Sequence, residues 1–370
     1  MTRGREALLA LAAAAVGLGL FLAAAEIALR FLPVASGMRT LPVTTDQPVM
    51  RFAPDRPFLF SRGWDLEMVN RGRVNNAGFV NDQDYRRDDP LPLLAVIGDS
   101  YIEAAMVPYA QTVHGRLAGA LEGRLRVYSF AASGAPLSQY LVWARHAVQA
   151  FGAQALVINV VGNDFDESHV AYKTGPGLWL YSPAADGGLV LALQAYRPGL
   201  MRALVYRSAL ARYLLFNLTV GAHLFEPGFF GGLVRRALAD AGRAPRFAGN
   251  TAADVDPARV AVSLAVIEAF FRDLPGMAGL PPERILFLVD GFRHPDAARQ
   301  GAGTYFDLMR RAFLAKAAAQ GYEAIDLDAL FFRNPGQAYN YPRDGHWNPA
   351  GHAVAAEAVM ASKTLARVRP

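Results

Sequence analysis

The sequence predicts an α/β fold: a parallel five-stranded sheet with helices on both faces, a helical insertion and an N-terminal transmembrane helix. Three observations predict it. From residue 91 onward, short apolar runs rich in β-formers alternate with helical stretches, the pattern of buried parallel strands and their crossovers. Hydrophobic residues make up 53% of the 370 and charged residues 19%, so a large core can form. Near the N-terminus, residues 7–25 form one uncharged run of Ala, Leu, Val, Gly and Phe.

The N-terminal run follows Arg3 and Arg5. As a helix it spans roughly 28 Å, close to the roughly 30 Å hydrocarbon core of a bilayer. It exceeds the apolar region of about 7–15 residues usual in a signal peptide. Residues 1–32 are therefore expected to be an uncleaved anchor. A cleaved signal, using the small residues Ala23, Ala24 and Ala25, and a soluble helix are the alternatives. In either exported form the arginine pair stays cytoplasmic and the rest lies outside, on the periplasmic side or secreted. Residues 33–90 are rich in Pro, Arg and Asp, with an aromatic patch at Phe58 and Phe60. They read as an irregular connector packed on the main domain. Asn75, Asn76 and Gly78 mark a turn into a short edge strand at Phe79.

The main domain is expected over 91–370. Its strands are predicted at 93–97, 126–130, 155–161, 284–289 and 323–327. Its helices are predicted at 112–122, 138–151, 304–320 and 349–365, the last with Pro349 in its first turn. An insertion at about 170–262 separates the third strand from the fourth. Its apolar stretch 200–224 is interrupted by Arg202, Arg207 and Arg212, against a second membrane span. An ordinary helical subdomain, or an amphipathic pair over the site or facing a bilayer, fits better. The sequon at Asn217 is read as accidental.

Composition closes several routes. The net charge is only +5, the basic residues are scattered, and no nucleic-acid motif accompanies them, so no nucleic-acid partner is expected. The chain has no cysteine, which removes disulfides, thiolate zinc sites, a cysteine nucleophile and a lipoprotein anchor. The acidic cluster Asp164, Asp166, Glu167 with His169 is too crowded along the chain for good ligand geometry, and no metal is expected.

The chemistry-bearing residues fall at strand ends. In an open α/β sheet, ligands bind beyond the carboxyl ends of the strands. Ser100 follows the first strand, Gly134 the second and Asn163 the third. Asp344 and His346 lie between the fifth strand and the last helix. A serine attacks a carbonyl only if a base takes its proton, and His346 is the best base. Asp344, two residues earlier on extended chain, points to the same side and can orient the ring. The backbone N–H groups of Ser100 and Gly134, with the Asn163 amide, can receive an oxyanion. His352 is expected inside the last helix, and Asp99 is expected to bond local backbone.

These residues resemble the blocks of the SGNH/GDSL hydrolase superfamily: Gly98-Asp99-Ser100, the glycine Gly134, Gly162-Asn163-Asp164, and Asp344 with His346. The resemblance covers about 91–365, interrupted by the insertion. It implies a flavodoxin-like three-layer α/β/α sandwich and ester hydrolysis or acyl transfer without metal or cofactor. It also implies the roles given above for the five residues. The usual spacing is Asp-x-x-His, whereas this chain has Asp344-Gly345-His346 followed by Trp347. That shorter spacing is similar to the alginate O-acetyltransferase-like branch, in which the pair precedes the serine. The expected activity is a serine esterase or O-acyltransferase on acyl esters, O-acetylated envelope glycans included. The competing expectation is a non-catalytic envelope protein that binds glycan or serves as a scaffold.

Overall fold

The structure is a computed structural model and describes residues 2–220, 255–342 and 344–368. Helix α1 (Thr2–Arg30) takes in the whole apolar run, and its residues 4–24 are all exposed. The stretch Gly4–Arg30 is long and apolar enough to cross a membrane. Among the described residues, its last turns touch the rest of the chain, chiefly through Glu26. That carboxylate accepts the Ser208 hydroxyl at 2.8 Å and the backbone N–H groups of Ala209 and Leu210 at 3.0 and 2.8 Å.

The segment after α1 is more regular than its composition suggests. Strands β1 (Arg56–Arg62) and β2 (Met68–Val74) form an antiparallel hairpin, Arg56 opposite Val74 and Arg62 opposite Met68. The irregular connector expected here is thus partly strand. β2 hides its character because Asn70, Arg71 and Arg73 interrupt any apolar alternation. Gly72 is required by a close approach: a Cβ there would stand 2.6 Å from the Phe58 ring. The turn expected around Asn75 is present, with Val74 bridged to Val80.

The central sheet has five strands, all parallel: β3 (Leu93–Gly98), β4 (Arg126–Ala131), β5 (Ala153–Val160), β8 (Ile285–Val289) and β9 (Glu323–Asp326). Their spatial order is β4-β3-β5-β8-β9, the 2-1-3-4-5 order of flavodoxin-like sandwiches. β3 is wholly buried, and its alternate residues feed two cores. Leu93, Ala95 and Ile97 pack with α4 (Leu137–Phe151), α7 (Pro257–Ala278) and α8 (Tyr305–Ala319). Leu94 and Val96 pack with α3 (Val113–Ala120) and α9 (Pro349–Met360) on the other side. Burial on both faces is why this strand reads as a continuous apolar run.

The insertion opens on strands rather than helices. β6 (Trp179–Pro183) and β7 (Leu189–Leu193) pair antiparallel. Then come α5 (Leu200–Arg207), α6 (Ala209–Arg212) and a π-helical turn at Tyr213–Asn217. The remainder of the apolar stretch expected at 200–224, and of the insertion up to residue 254, lies outside the described residues from 221 on. Helix α7 crosses the expected boundary at 262, and beyond it buries Val266, Phe270 and Leu274 against the sheet. The last helix ends at Met360 instead of 365. The Ser362 hydroxyl caps a separate turn by accepting the Leu365 N–H at 3.1 Å.

Candidate active site

The strand order puts β3 between β4 and β5, so the chain after Gly98 has the ends of both neighbours beside it. Ser100 opens the one-turn helix α2 (Ser100–Glu103). Asp99 caps that turn, accepting the Tyr101 N–H at 2.9 Å. The cap holds the serine in place at the strand-to-helix corner.

The candidate base, His346, comes from 246 residues away. β11 (Asp344–Trp347) pairs with the short β10 (Asn340–Tyr341). On such a strand residues two apart share a face, so Asp344 and His346 project together. His346 Nε2 lies 2.7 Å from Ser100 Oγ. His346 Nδ1 pairs with Asp344 Oδ1, which also accepts the His346 backbone N–H at 3.0 Å. The second oxygen, Asp344 Oδ2, accepts from the Arg62 guanidinium at 2.7 Å. Burial pushes the Asp344 carboxyl up, but the hydrogen bond and charge of His346, with Arg62 behind them, hold it down at about 2. An ionised Asp344 keeps the ring proton on Nδ1 and leaves Nε2 as an acceptor facing the hydroxyl. Ser100 Oγ also stands 3.2 Å from Asp99 Oδ2. One hydroxyl has one proton, and the shorter contact is the one to the imidazole.

Neighbours fix the relay. The Tyr101 hydroxyl donates to the Gly345 carbonyl at 2.8 Å, and its ring lies 4.9 Å from that of His346. The Trp347 indole N–H donates to Asp290 at 3.0 Å, and Asp290 is paired with Arg293. Ser100, Asp344 and His346 are 7%, 5% and 5% exposed, so bulk water does not compete strongly for their hydrogen bonds.

Gly134 and Asn163 occupy the turns after β4 and β5. Gly134 has φ +74°, a conformation that favours glycine, and a Cβ there would stand 3.7 Å from Lys173 Nζ. Asn163 is nearly buried. The next residue, Asp164, shapes its turn by accepting the Val161 N–H and the Tyr140 hydroxyl, each at 2.8 Å. Burial, with Asp99 nearby, pushes the Asp164 carboxyl well up.

The remaining candidates go elsewhere. His352 is buried inside α9, edge-on to Trp347. Asp166 pairs with Arg259, Glu167 with Lys173, and His169 Nδ1 accepts the Ala171 N–H. Among the described residues no group of three possible metal ligands comes together. Asn217 is buried, its amide donating to Ser61 and accepting from the Ala35 N–H, which leaves the sequon no free side chain.

Three residues at the site were not anticipated. Glu103, one turn after Ser100, is buried and accepts the Ser133 N–H at 2.9 Å together with its hydroxyl, fixing the residue before Gly134. Burial pushes Glu103 up to about 7, against the pull of the Ser133 donors. Its position three after the nucleophile was a signal available in the sequence. Arg62 and Lys173 gave none, because they reach the site from segments without motif.

No family model and no curated protein matches the chain. Among solved structures, it is similar to an alpha/beta hydrolase enzyme from the metagenome of Lake Arreo, with 16% identity over 74% of this chain and 94% of that one, at a TM-score of 0.38. It is similar to a catalytic mutant of an acetylxylan esterase from Geobacillus stearothermophilus, with 13% identity over 74% and 95% of the two chains, at 0.38. A member of the lipolytic protein G-D-S-L family from Veillonella parvula gives 12% identity over 74% and 97%, at 0.34. The fold assignment rests on the strand order described above.

Proposed function

We propose that this protein is a serine-dependent esterase or O-acyltransferase of the SGNH/GDSL type. The single observation that carries the proposal is the relay from Ser100 through His346 to Asp344 at the carboxyl edge of the sheet. His346 takes the Ser100 proton as Oγ attacks the ester carbonyl. The oxyanion is received by the backbone N–H groups of Ser100 and Gly134 and by the Asn163 amide. On collapse the ester C–O bond breaks, and the leaving alcohol takes the proton from His346. Water or an acceptor hydroxyl then attacks the acyl-enzyme, with His346 again as base. No cofactor enters any step.

In this reading α1 is a membrane anchor and the catalytic domain faces the extracytoplasmic side. Cleavage after Ala25 would make the same domain a secreted enzyme. O-acylated glycans of the envelope are the proposed substrate class within acyl esters. The test is p-nitrophenyl acetate hydrolysis by the full chain, with Ser100→Ala beside it. Serine-dependent turnover supports the enzyme. Equal rates, together with no labelling of Ser100 by a fluorophosphonate, would leave a glycan-binding or scaffold protein that retains the fold.

A further inference from the structure

A cavity of about 330 Å³ reaches Glu103, Ala105 and Ser133 beside the catalytic edge, and the rest of its lining comes from outside the sheet and its crossover helices. That size is at the lower end of small-molecule sites, roughly 300–1,000 Å³. Its walls are mostly apolar: Met38, Phe52, Phe58, Phe60 and Phe216 line it, with Arg202 also in the lining. Most of these come from the segment between α1 and the sheet, and Phe216 comes from the insertion. Its inner end is different. There the wall is Glu103 and Ser133, the carboxylate one turn from Ser100 and the hydroxyl residue directly before Gly134.

A mostly apolar cavity with Glu103 and Ser133 on the side of the oxyanion loop suits an ester with an aliphatic tail. We propose that this cavity is the acyl-chain subsite of the enzyme and takes a linear aliphatic acyl group longer than acetyl. The proposal rests on the esterase reading above and narrows its substrate class. The carbonyl sits at Ser100, and the chain runs past Ser133 between β1 and the π-helical turn. The wall is well supported. Ser61, at the end of the lining, receives the Asn217 amide at 2.8 Å. Gly37 lets the chain pass where a Cβ would stand 2.5 Å from the Phe216 ring. Each methylene that enters such a wall gains roughly fourfold in kcat/KM.

The experiment uses the full chain in lipid nanodiscs with p-nitrophenyl acetate, octanoate and decanoate as probes. Octanoate is expected to exceed acetate in kcat/KM at least tenfold. Met38→Trp, which fills the cavity, should lower the octanoate-to-acetate ratio about tenfold. Phe216→Ala, which enlarges it, should move the optimum toward decanoate. Opposite shifts from two variants separate a subsite from a general loss of stability, which would lower all three esters together. Ser100-dependent acetate turnover with no preference for octanoate, or with a ratio that neither variant moves, would overturn the subsite and leave the esterase reading standing. Absence of Ser100-dependent turnover of every ester would overturn both.

Discussion

The carboxyl edge of the sheet and the hairpin laid beside it are built by opposite rules. At the edge, Ser100, Gly134 and Asn163 each follow within a few residues of strands that are largely buried on both faces. The hairpin β1–β2 sends Phe58 and Val74 into the core but has few other buried residues, and it reaches the catalytic edge through single polar contacts. Arg62 reaches Asp344, and Asn70 donates to the carbonyls of Ala105 and Val107 at 2.9 Å. The difference separates bond-making from boundary. In the esterase reading proposed above, groups that act on the ester need a rigid local frame, whereas the wall that would select the ester can come from distant chain.

Substitutions can break or sharpen that contrast. The largest effect is expected at the edge: Ser100→Ala or His346→Ala should lower kcat on the order of 10⁴–10⁶, read as p-nitrophenyl acetate hydrolysis. Wild-type turnover in Ser100→Ala would remove the edge from the chemistry. Next, Asn163→Ala should cost about 10²–10³ in kcat with little change in KM, as the loss of one oxyanion donor does. A change confined to KM would assign Asn163 to ground-state binding. From the hairpin, Arg62→Ala should cost much less. The arginine side chain is 44% exposed, and a pair so screened contributes about 0.2–1 kcal/mol, up to roughly fivefold in kcat/KM. A hundredfold loss would place the hairpin inside the catalytic machinery and erase the contrast.

The smallest effects are in stability against pH, and the two buried carboxylates have opposite signs. Asp344 is held at about 2, below the roughly 3.9 of a free aspartate. The unfolded chain binds that proton first as pH falls, so the stabilisation is complete above about pH 4 and is lost toward pH 2. Glu103 is raised to about 7, above the roughly 4.3 of a free glutamate. Its contribution is complete below about pH 4 and is lost as pH rises to about 7. Glu103→Gln should therefore flatten the fall in Tm between pH 5 and 8, raising it by roughly 1–4 °C at pH 8. A Tm difference independent of pH would show that Glu103 does not titrate in that window.

The same contrast explains what the sequence disclosed. β3 was legible because it is buried on both faces and ends on Gly98-Asp99-Ser100. Asp344 and His346 were legible because a two-residue spacing on extended chain leaves few geometries. β1 and β2 were not, since their pairing satisfies backbone groups without an apolar alternation, and Phe58 packs on a glycine that gives no side-chain signal. Arg62 could not be found from sequence: its partner is 282 residues away and nothing local marks it. The hairpin at the start of the insertion differs: Asp186-Gly187 between two apolar runs marks it, but the stretch was read as one helical unit. Glu103 was overlooked although it lay within the motif, because its partner Ser133 belongs to another strand end.

Glu26 gives α1 a property that its apolar composition alone does not. Three hydrogen bonds accepted by one carboxylate tie the end of that helix to α6, and only a few residues later Val34 is already buried. With α1 in a bilayer, the domain has no slack leash on which to swing. Its catalytic edge then works at one height and one tilt, and covers ground by sliding with its helix in the plane of the lipid. In the proposed reading of α1 as an anchor, substrates would come within range by being displayed at that altitude, and the helix would act as a ruler as well as an address.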